Sequence, residues 1–298
     1  MNSILVPAVC VLSILGGLLA VVLFFVARQF AVIEDPRIDQ VEEILPGANC
    51  GGCGQAGCRA FAEVCVKAET LEGAFCPVGG NETMEKVAEV LGKTVEAKKP
   101  MVAVLRCGGT LEKRPRNTKF DGYPSCAVSA ALFQGETACR YGCLGFGDCV
   151  DACAFDAIHL NPVTGLVEVD QEKCTGCGAC TLVCPKSLLE LRDKGRKDRR
   201  VFVSCRSQDK GGAARKACKA ACIGCGKCAK ACKFDAIVLE NNLAYIDFQK
   251  CKLCRKCVEE CPTGAIWAVN FPPPKPKKAA PPKDTKKETV AAGGAQNG

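Results

Sequence analysis

Residues 222–232 read CIGCGKCAKAC, and residues 251–262 read CKLCRKCVEECP. Each stretch separates its first three cysteines by two residues and adds a fourth cysteine after three more. In two-cluster ferredoxins this spacing holds [4Fe–4S] clusters, and the fourth cysteine of each run binds the cluster of the other run. The pattern therefore predicts a compact unit that holds two clusters with crossed ligands. The predicted ligand sets are Cys222, Cys225, Cys228 and Cys261, and Cys251, Cys254, Cys257 and Cys232.

A second pair of cysteine runs lies upstream, and its first member is spaced more loosely. Residues 174–185 repeat the regular pattern and end in proline, whereas the cysteines of residues 139–153 are separated by three, five and three residues. The same crossing rule predicts two further clusters. The predicted sets are Cys174, Cys177, Cys180 and Cys153, and Cys139, Cys143, Cys149 and Cys184. The loose spacing leaves the ligand choice within the second set open.

A separate glycine-rich run lies closer to the N-terminus. Residues 50–58 read CGGCGQAGC, and the next cysteine ligand candidate is Cys76. Glycines let the backbone approach a negatively charged cluster and direct N–H groups at it. The predicted set is Cys50, Cys53, Cys58 and Cys76, as iron ligands of a fifth [4Fe–4S] cluster. A zinc site with four cysteines is the alternative, because the ligand count alone serves either metal.

Six cysteines fall outside these five sets. They are Cys10, Cys65, Cys107, Cys126, Cys205 and Cys218. A free cysteine most often packs as a small apolar side chain. A sixth cluster or an altered ligand set stays open, because Cys107, Cys126 and Cys205 precede the cluster runs. Cys218 aligns with Cys139 in the repeat and competes with Cys225 as a ligand.

The composition excludes several other classes of protein. The chain has 298 residues with 26 cysteines and one histidine, which argues against Cys/His zinc fingers and haem attachment. Disulfide scaffolds are also disfavoured, since the cysteines bunch in tight runs. The formal charge of +8 counts thiols as neutral. Five clusters at about −2 each would bring the total to about −2, which does not suit nucleic acid.

The N-terminal segment has the composition of a membrane helix. Residues 4–27 carry no charge, and roughly 36 Å of helix suffices for a hydrocarbon core of about 30 Å. A cleaved signal peptide is the alternative, but the segment has no basic residues before it and is too long. Arg28 and Arg37 follow the segment, which predicts that the rest of the chain is cytoplasmic.

An internal duplication suggests the domain organisation. Residues 153–160 read CAFDAIHL and residues 232–239 read CKFDAIVL, each followed by a turn and a second strand pattern. The prediction is an α+β protein with one transmembrane helix, a small helical 4Fe–4S module and two tandem ferredoxin-like 2[4Fe–4S] domains. The expected boundaries are an anchor at 1–28, the module at 29–100, the domains at 101–200 and 201–268, and a disordered Pro/Lys/Ala-rich tail at 269–298.

Two stretches carry a resemblance to a known family. Residues 45–54 read LPGANCGGCG, and residues 141–149 read YGCLGFGDC. With the order of the segments, they make residues 1–268 similar to the subunit designated B in the Rnf-type ion-translocating electron transport complex. The resemblance implies a single-pass subunit of the bacterial inner membrane that faces the cytoplasm. It further implies a complex that couples ferredoxin oxidation and NAD reduction to Na⁺ or H⁺ translocation, with soluble ferredoxin as electron donor and other membrane subunits as partners.

The chain itself is expected to relay electrons without a catalytic site. Its sequence has no G-x-G-x-x-G, no Walker loop and no supported Ser/His/Asp arrangement. Two alternatives stay open. One is a polyferredoxin anchor that feeds a hydrogenase or dehydrogenase, and the other is a structural zinc–thiolate or redox-sensing membrane protein. The basic run at residues 192–200 predicts either a docking surface for an acidic ferredoxin or a solvated loop between domains.

Overall fold

The computed structural model describes residues 2–29 and 34–272. Helix α1 (Asn2–Gln29) is apolar along its length, and its segment Val9–Gln29 is long and apolar enough to cross a membrane. None of that segment is buried against the rest of the protein. An apolar helix without a protein partner needs another apolar environment, so α1 fits the membrane association that the sequence predicts. Residues 273–298 of the predicted tail lie outside the described residues.

Three helices form a small unit after α1. They are α2 (Pro36–Ile44), α3 (Cys58–Lys67) and α4 (Gly80–Leu91). Helix α2 begins after Asp35, whose carboxylate accepts the Arg37 N–H at 2.9 Å, as an N-cap does. Apolar residues at helical spacing fill the core between the helices, where Val41, Phe61 and Met84 are buried. The cysteine loop between α2 and α3 is therefore held by a core of its own.

The first α+β unit follows the helical unit. Its elements are β1 (Met101–Leu105), α5 (Cys126–Phe133), α6 (Asp148–Asp151), β2 (Ile158–Asn161), β3 (Leu166–Val169), α7 (Ala179–Val183) and β4 (Leu189–Asp193). The first and last strands pair antiparallel, with Met101 opposite Asp193. The two middle strands form a hairpin in which Ile158 faces Val169. Helices α6 and α7 each lie within a cysteine run, and the chain continues from them into β2 and β4, one strand of each sheet.

The second α+β unit repeats this topology. After a short 3₁₀ turn (Arg196–Asp198), its elements are β5 (Arg200–Val203), α8 (Gly211–Ala217), α9 (Lys227–Ala231), β6 (Ile237–Glu240), β7 (Leu243–Ile246), α10 (Lys256–Glu259) and β8 (Ile266–Val269). The outer strands β5 and β8 pair antiparallel, and β6 and β7 form the hairpin. The duplicated sequence therefore forms a duplicated structure.

A buried ionic junction joins the two α+β units. Arg106 lies 3.0 Å from one carboxylate oxygen of Glu190, and Arg192 lies 3.0 Å from the other. The side chain of Arg106 is 2% exposed and that of Arg192 is 1% exposed. Tyr245 of the second unit donates its hydroxyl to Glu190 at 2.9 Å. Arg192 also donates to the Ile246 carbonyl at 2.8 Å. The junction fixes how the second unit sits on the first.

The basic run at residues 192–200 is only partly available for docking. Arg192 and Arg200 are buried, and Lys194 donates to the Gln171 carbonyl at 2.8 Å. Burial lowers the pKa of Arg200, and the Asp198 carboxylate opposes that effect. Of these residues, Arg192 bonds across to the second unit through the Ile246 carbonyl. The exposed part of the run is confined to the turn at residues 196–198.

Candidate metal centres

The glycine-rich loop forms a cysteine-lined cavity in the helical unit. Cys50, Cys53, Cys58 and Cys76 all line it. The Asn49 side chain accepts the Cys58 N–H at 2.7 Å and fixes the start of α3. The Gly79 N–H donates to the Cys76 sulfur at 3.4 Å. The four thiols predicted from sequence as one ligand set thus surround one space, and at least one backbone dipole points at a ligand sulfur.

The second α+β unit brings its two regular cysteine sets together. One cavity is lined by Cys222, Cys225, Cys228 and Cys261, and another by Cys232, Cys251, Cys254 and Cys257. In each cavity the fourth cysteine comes from the other run, as the crossed pattern requires. Apolar side chains such as Ile246 and Ile266 close these cavities and would exclude water from a bound group.

The thiols of the regular run of the first α+β unit also lie near one another. Burial, together with the neighbouring thiols of Cys174, Cys177 and Cys153, raises the pKa of Cys180 to about 12. The Ala103 N–H donates to the Cys174 sulfur at 3.5 Å. Metal binding must drive the deprotonation of such buried thiols, so metal affinity at this site rises with pH.

The loosely spaced run differs from the sequence-based expectation. The cavity that Cys143, Cys149 and Cys184 line is completed by Cys126, and Cys139 does not line it. Asp148 holds Cys126 in place, since its carboxylate accepts the Cys126 N–H at 2.7 Å and the Ser125 hydroxyl at 2.9 Å. Burial raises the pKa of Asp148, but these donors outweigh it and leave the pKa below its ordinary value.

Cys139 lies instead toward the second unit. It packs against the apolar core that contains Cys205 and Cys218. The physical reason is a turn in which the Gly142 N–H donates to the Cys139 carbonyl at 3.2 Å, and this turn separates Cys139 from Cys143. The sequence places Cys126 outside the five sets and leaves an altered ligand set open. Ser125 before it is a strong N-cap residue that predicts an ordered helix start at Cys126.

The cysteine sets surround cavities and do not converge on single points. Among residues 2–29 and 34–272, no group of three or more Cys, His, Asp or Glu side chains lies close enough to hold one metal ion. Zinc bound by four thiolates needs metal–sulfur bonds of about 2.3 Å, which would bring the sulfurs close together. Four cysteines around one cavity, with no histidine among them, are the donor set that holds a [4Fe–4S] cluster.

The glycine-rich loop packs directly against the first α+β unit. A Cβ atom on Gly52 would lie 2.7 Å from the Cys177 carbonyl oxygen and 2.9 Å from the Cys177 Cβ, so only glycine fits there. The Cys50 thiol is close enough to add to the effect of burial in raising the pKa of Cys177. Two cysteine sets in different units are therefore neighbours in space.

This series of cysteine-lined cavities, preceded by an apolar helix, defines an iron–sulfur protein with several [4Fe–4S] clusters. The family described as 4Fe-4S dicluster domain matches residues 138–188 and 221–265, and an Fe-S cluster family matches residues 45–78. These matches cover all five cysteine runs that the sequence predicts as cluster sites. They do not include Cys107, Cys126, Cys205 or Cys218.

Three relatives resemble nearly the whole chain, and each is the subunit designated B of its complex. The one from the Na(+)-translocating ferredoxin:NAD(+) oxidoreductase complex of Acetobacterium woodii is 44% identical over 89% of this chain and 78% of its own length. Its proton-translocating counterpart from Clostridium ljungdahlii is 44% identical over 90% of this chain and 94% of its own length. The one from the ion-translocating oxidoreductase complex of Methanosarcina acetivorans is 39% identical over 89% of this chain and 99% of its own length. The chain belongs to this family of subunits, which confirms the resemblance inferred from sequence.

Proposed function

We propose that this chain is the electron-transfer subunit of a membrane complex that couples ferredoxin oxidation and NAD reduction to Na⁺ or H⁺ translocation. The observation that carries the proposal is the contact between Gly52 and Cys177, which puts cysteine sets of separate units next to each other. Electron transfer between buried centres requires such proximity. The names of the relatives supply the class of complex.

The clusters are assigned to cysteines as follows. Four of the sets predicted from sequence are kept. Three of them line one cavity each, and in the set around Cys180 the other three thiols are near enough to raise the pKa of Cys180. The four sets are Cys50, Cys53, Cys58 and Cys76; Cys174, Cys177, Cys180 and Cys153; Cys222, Cys225, Cys228 and Cys261; and Cys251, Cys254, Cys257 and Cys232. In the fifth set Cys126 replaces Cys139 beside Cys143, Cys149 and Cys184, because Cys126 lines their cavity. A bound cluster supplies one-electron chemistry, and the chain positions it and excludes water.

The arrangement in the membrane is part of the proposal. Helix α1 spans the membrane once, and the α+β units form tandem two-cluster domains on the cytoplasmic side. Arg28 in the last turn of α1 and Arg37 after it support this orientation. Soluble ferredoxin would then reach the clusters directly, and ion translocation would belong to other subunits of the complex.

Purification of the tagged full-length chain from its own membranes tests this function. We expect integral membrane subunits to co-purify and reduced ferredoxin to bleach the iron–sulfur absorbance. NAD reduction by the purified complex should depend on this chain. Stoichiometric zinc in place of iron would contradict the proposal. A co-purifying hydrogenase large subunit, without ion-translocating subunits, would favour the anchor of a hydrogenase instead.

A substitution at the contact between units tests the relay itself. Gly52→Ala should push the glycine-rich loop away from Cys177, because the added Cβ meets a backbone carbonyl that cannot move aside. We expect the iron content to stay constant while ferredoxin-driven NAD reduction by the complex slows several-fold. Gly212→Ala is the matched control, since its Cβ meets no atom within 4 Å. Equal rates for both variants would show that this contact does not carry electrons.

A further inference from the structure

The internal duplication places one arginine at the same level of the first and last strands in each α+β unit. Strand β1 aligns with β5, because each ends two residues before a cysteine. Val102 lies opposite Arg192 across β1 and β4, and Arg200 lies opposite Val269 across β5 and β8. In this alignment the two pairs are equivalent, and the arginine stands on opposite strands of the pair.

Both arginines are buried, and the charge of each is incompletely balanced. Arg192 is 1% exposed and Arg200 is 3% exposed. Arg192 shares the Glu190 carboxylate with Arg106, so two guanidinium groups face one negative charge. Among the ion pairs of the described residues, none involves Arg200, and its Nε and Nη1 atoms are buried without a hydrogen-bond partner there. A buried charge is costly unless a group of opposite charge balances it.

Arg192, from the first unit, lies against the chain that leads into a cysteine run of the second unit. It donates to the Ile246 carbonyl at 2.8 Å, and its guanidinium carbon lies 5.3 Å from the centre of the Phe248 ring. The Cys251 N–H donates to the Asp247 carbonyl at 3.0 Å, which keeps this cysteine beside the same stretch. Burial raises the pKa of Cys251, and Arg192 is among the groups that oppose the rise. Arg192 therefore faces an assigned cluster ligand of the other unit.

Arg200, from the second unit, has the reciprocal position. It lines a cavity together with Val169 and Gln171, which precede Cys174 by the same five and three positions as the contacts of the other arginine precede their cysteine. Ala103 lines the same cavity, and its N–H donates to the Cys174 sulfur at 3.5 Å. Burial lowers the pKa of Arg200, whereas nearby acidic groups, the Cys174 thiol among them, raise it. Each unit thus directs one buried cation toward the equivalent cysteine of the other.

We propose that Arg192 and Arg200 are reciprocal counter-charges, each favouring the reduced state of the cluster site that the other unit forms around Cys251 or Cys174. The proposal rests on the proposed function, since it concerns the same relay. A cluster with four thiolates is net negative and gains one more negative charge when a neighbouring cluster passes it an electron and is oxidised. A buried cation nearby stabilises that added charge and raises the midpoint potential. Packing of the units therefore makes both sites better electron acceptors.

A redox titration of the iron-loaded full-length protein, followed by electron paramagnetic resonance, tests the proposal. Arg200→Gln should lower the midpoint potential of one reduction step, and Arg192→Gln that of a different step. We expect the ratio of reduced to oxidised cluster at a fixed potential to fall about tenfold in each variant, which is about 59 mV for one electron. Arg200→Lys keeps the charge and should leave its step nearly unchanged. Arg196→Gln is the matched control, since it removes an exposed arginine from the turn between the two.

Glu190→Gln separates the effect of charge from damage to the fold. It removes the carboxylate that Arg106 and Arg192 share, but it keeps an oxygen that can accept the Tyr245 hydroxyl. The reduction step that Arg192→Gln lowers should therefore rise in Glu190→Gln, because the positive charge near it is no longer offset. Mere loosening of the junction would lower this step in both variants. The measurement also serves if either arginine variant fails to bind iron.

The outcomes separate this proposal from the proposed function. Iron is counted in every variant, and circular dichroism checks that each is folded. Unchanged potentials in Arg192→Gln and Arg200→Gln at full iron content would overturn the counter-charges and leave the relay intact. An equal fall of every step would overturn them too, because a local charge acts most strongly on the nearest site. Zinc in place of iron in the unchanged protein would overturn the proposed function and this inference with it.

Discussion

Removal of iron from the full-length protein with a chelator is expected to unfold both α+β units. Each unit has only two-stranded sheets and helices of four to eight residues, which are marginal by themselves. Their cores are built around cysteines, since Cys149, Cys180, Cys228 and Cys257 are buried there. Without a bound group the apolar area is too small to offset chain entropy, so cluster binding supplies much of the folding free energy.

Circular dichroism and limited proteolysis measure this effect. The strand signal and the protease resistance of residues 101–269 should be lost together on chelation. Rebuilding the clusters with iron and sulfide should restore both. Helix α1 provides an internal reference, because it contains no assigned cluster ligand and should keep its helical signal. A metal-free protein that matched the loaded form in both measurements would contradict the prediction.

Glu190→Ala is expected to loosen the junction between the α+β units. The substitution leaves Arg106 and Arg192 buried without their carboxylate and removes the acceptor of the Tyr245 hydroxyl. Loss of one partner of a buried ion pair costs about 3 kcal/mol or more. The unfolding midpoint of the iron-loaded protein should therefore fall by roughly 10 °C.

Two further variants make this test specific. Glu240→Ala removes an exposed strand glutamate and should change the midpoint by a degree or two at most. Glu190→Gln keeps a hydrogen-bond acceptor, so its unfolding midpoint should lie between those of Glu190→Ala and Glu240→Ala. Proteolysis near residues 194–199 should increase in Glu190→Ala, because the connection between the units lies beside the junction. If Glu190→Ala and Glu240→Ala melted alike, the junction would not hold the units together.

The positive formal charge of the chain has a structural explanation in its buried arginines. The sequence carries a formal charge of +8, and much of it is expected to balance the negative charge of the clusters. Arg114 is expected to take this role, since it is buried and donates to the carbonyl of Cys143, a ligand of the proposed fifth set, at 2.6 Å. Arg192 and Arg200 show a second use of the basic residues, because burial between the units takes them out of the surface.

Most of the cluster chemistry, and the family, follow from the sequence without any structure. Regular spacing fixes which cysteines belong together, since two intervening residues bring successive thiols to one side of a tight turn. The crossed fourth cysteines follow from the same local rule, as the cavities of the second unit illustrate. The apolar stretch of α1 is also evident from sequence, because its length and composition need no tertiary information.

The positions of the irregular cysteines, by contrast, depend on tertiary contacts. Cys126 reaches the cavity of Cys143 because Asp148 binds the start of α5 across 22 positions of the chain. Cys139 turns away from that cavity and meets Cys205 and Cys218 because the two units pack together. Spacing along the chain carries information about turns of a few residues. Contacts between units depend on packing and buried charge across long loops, and no local pattern encodes them.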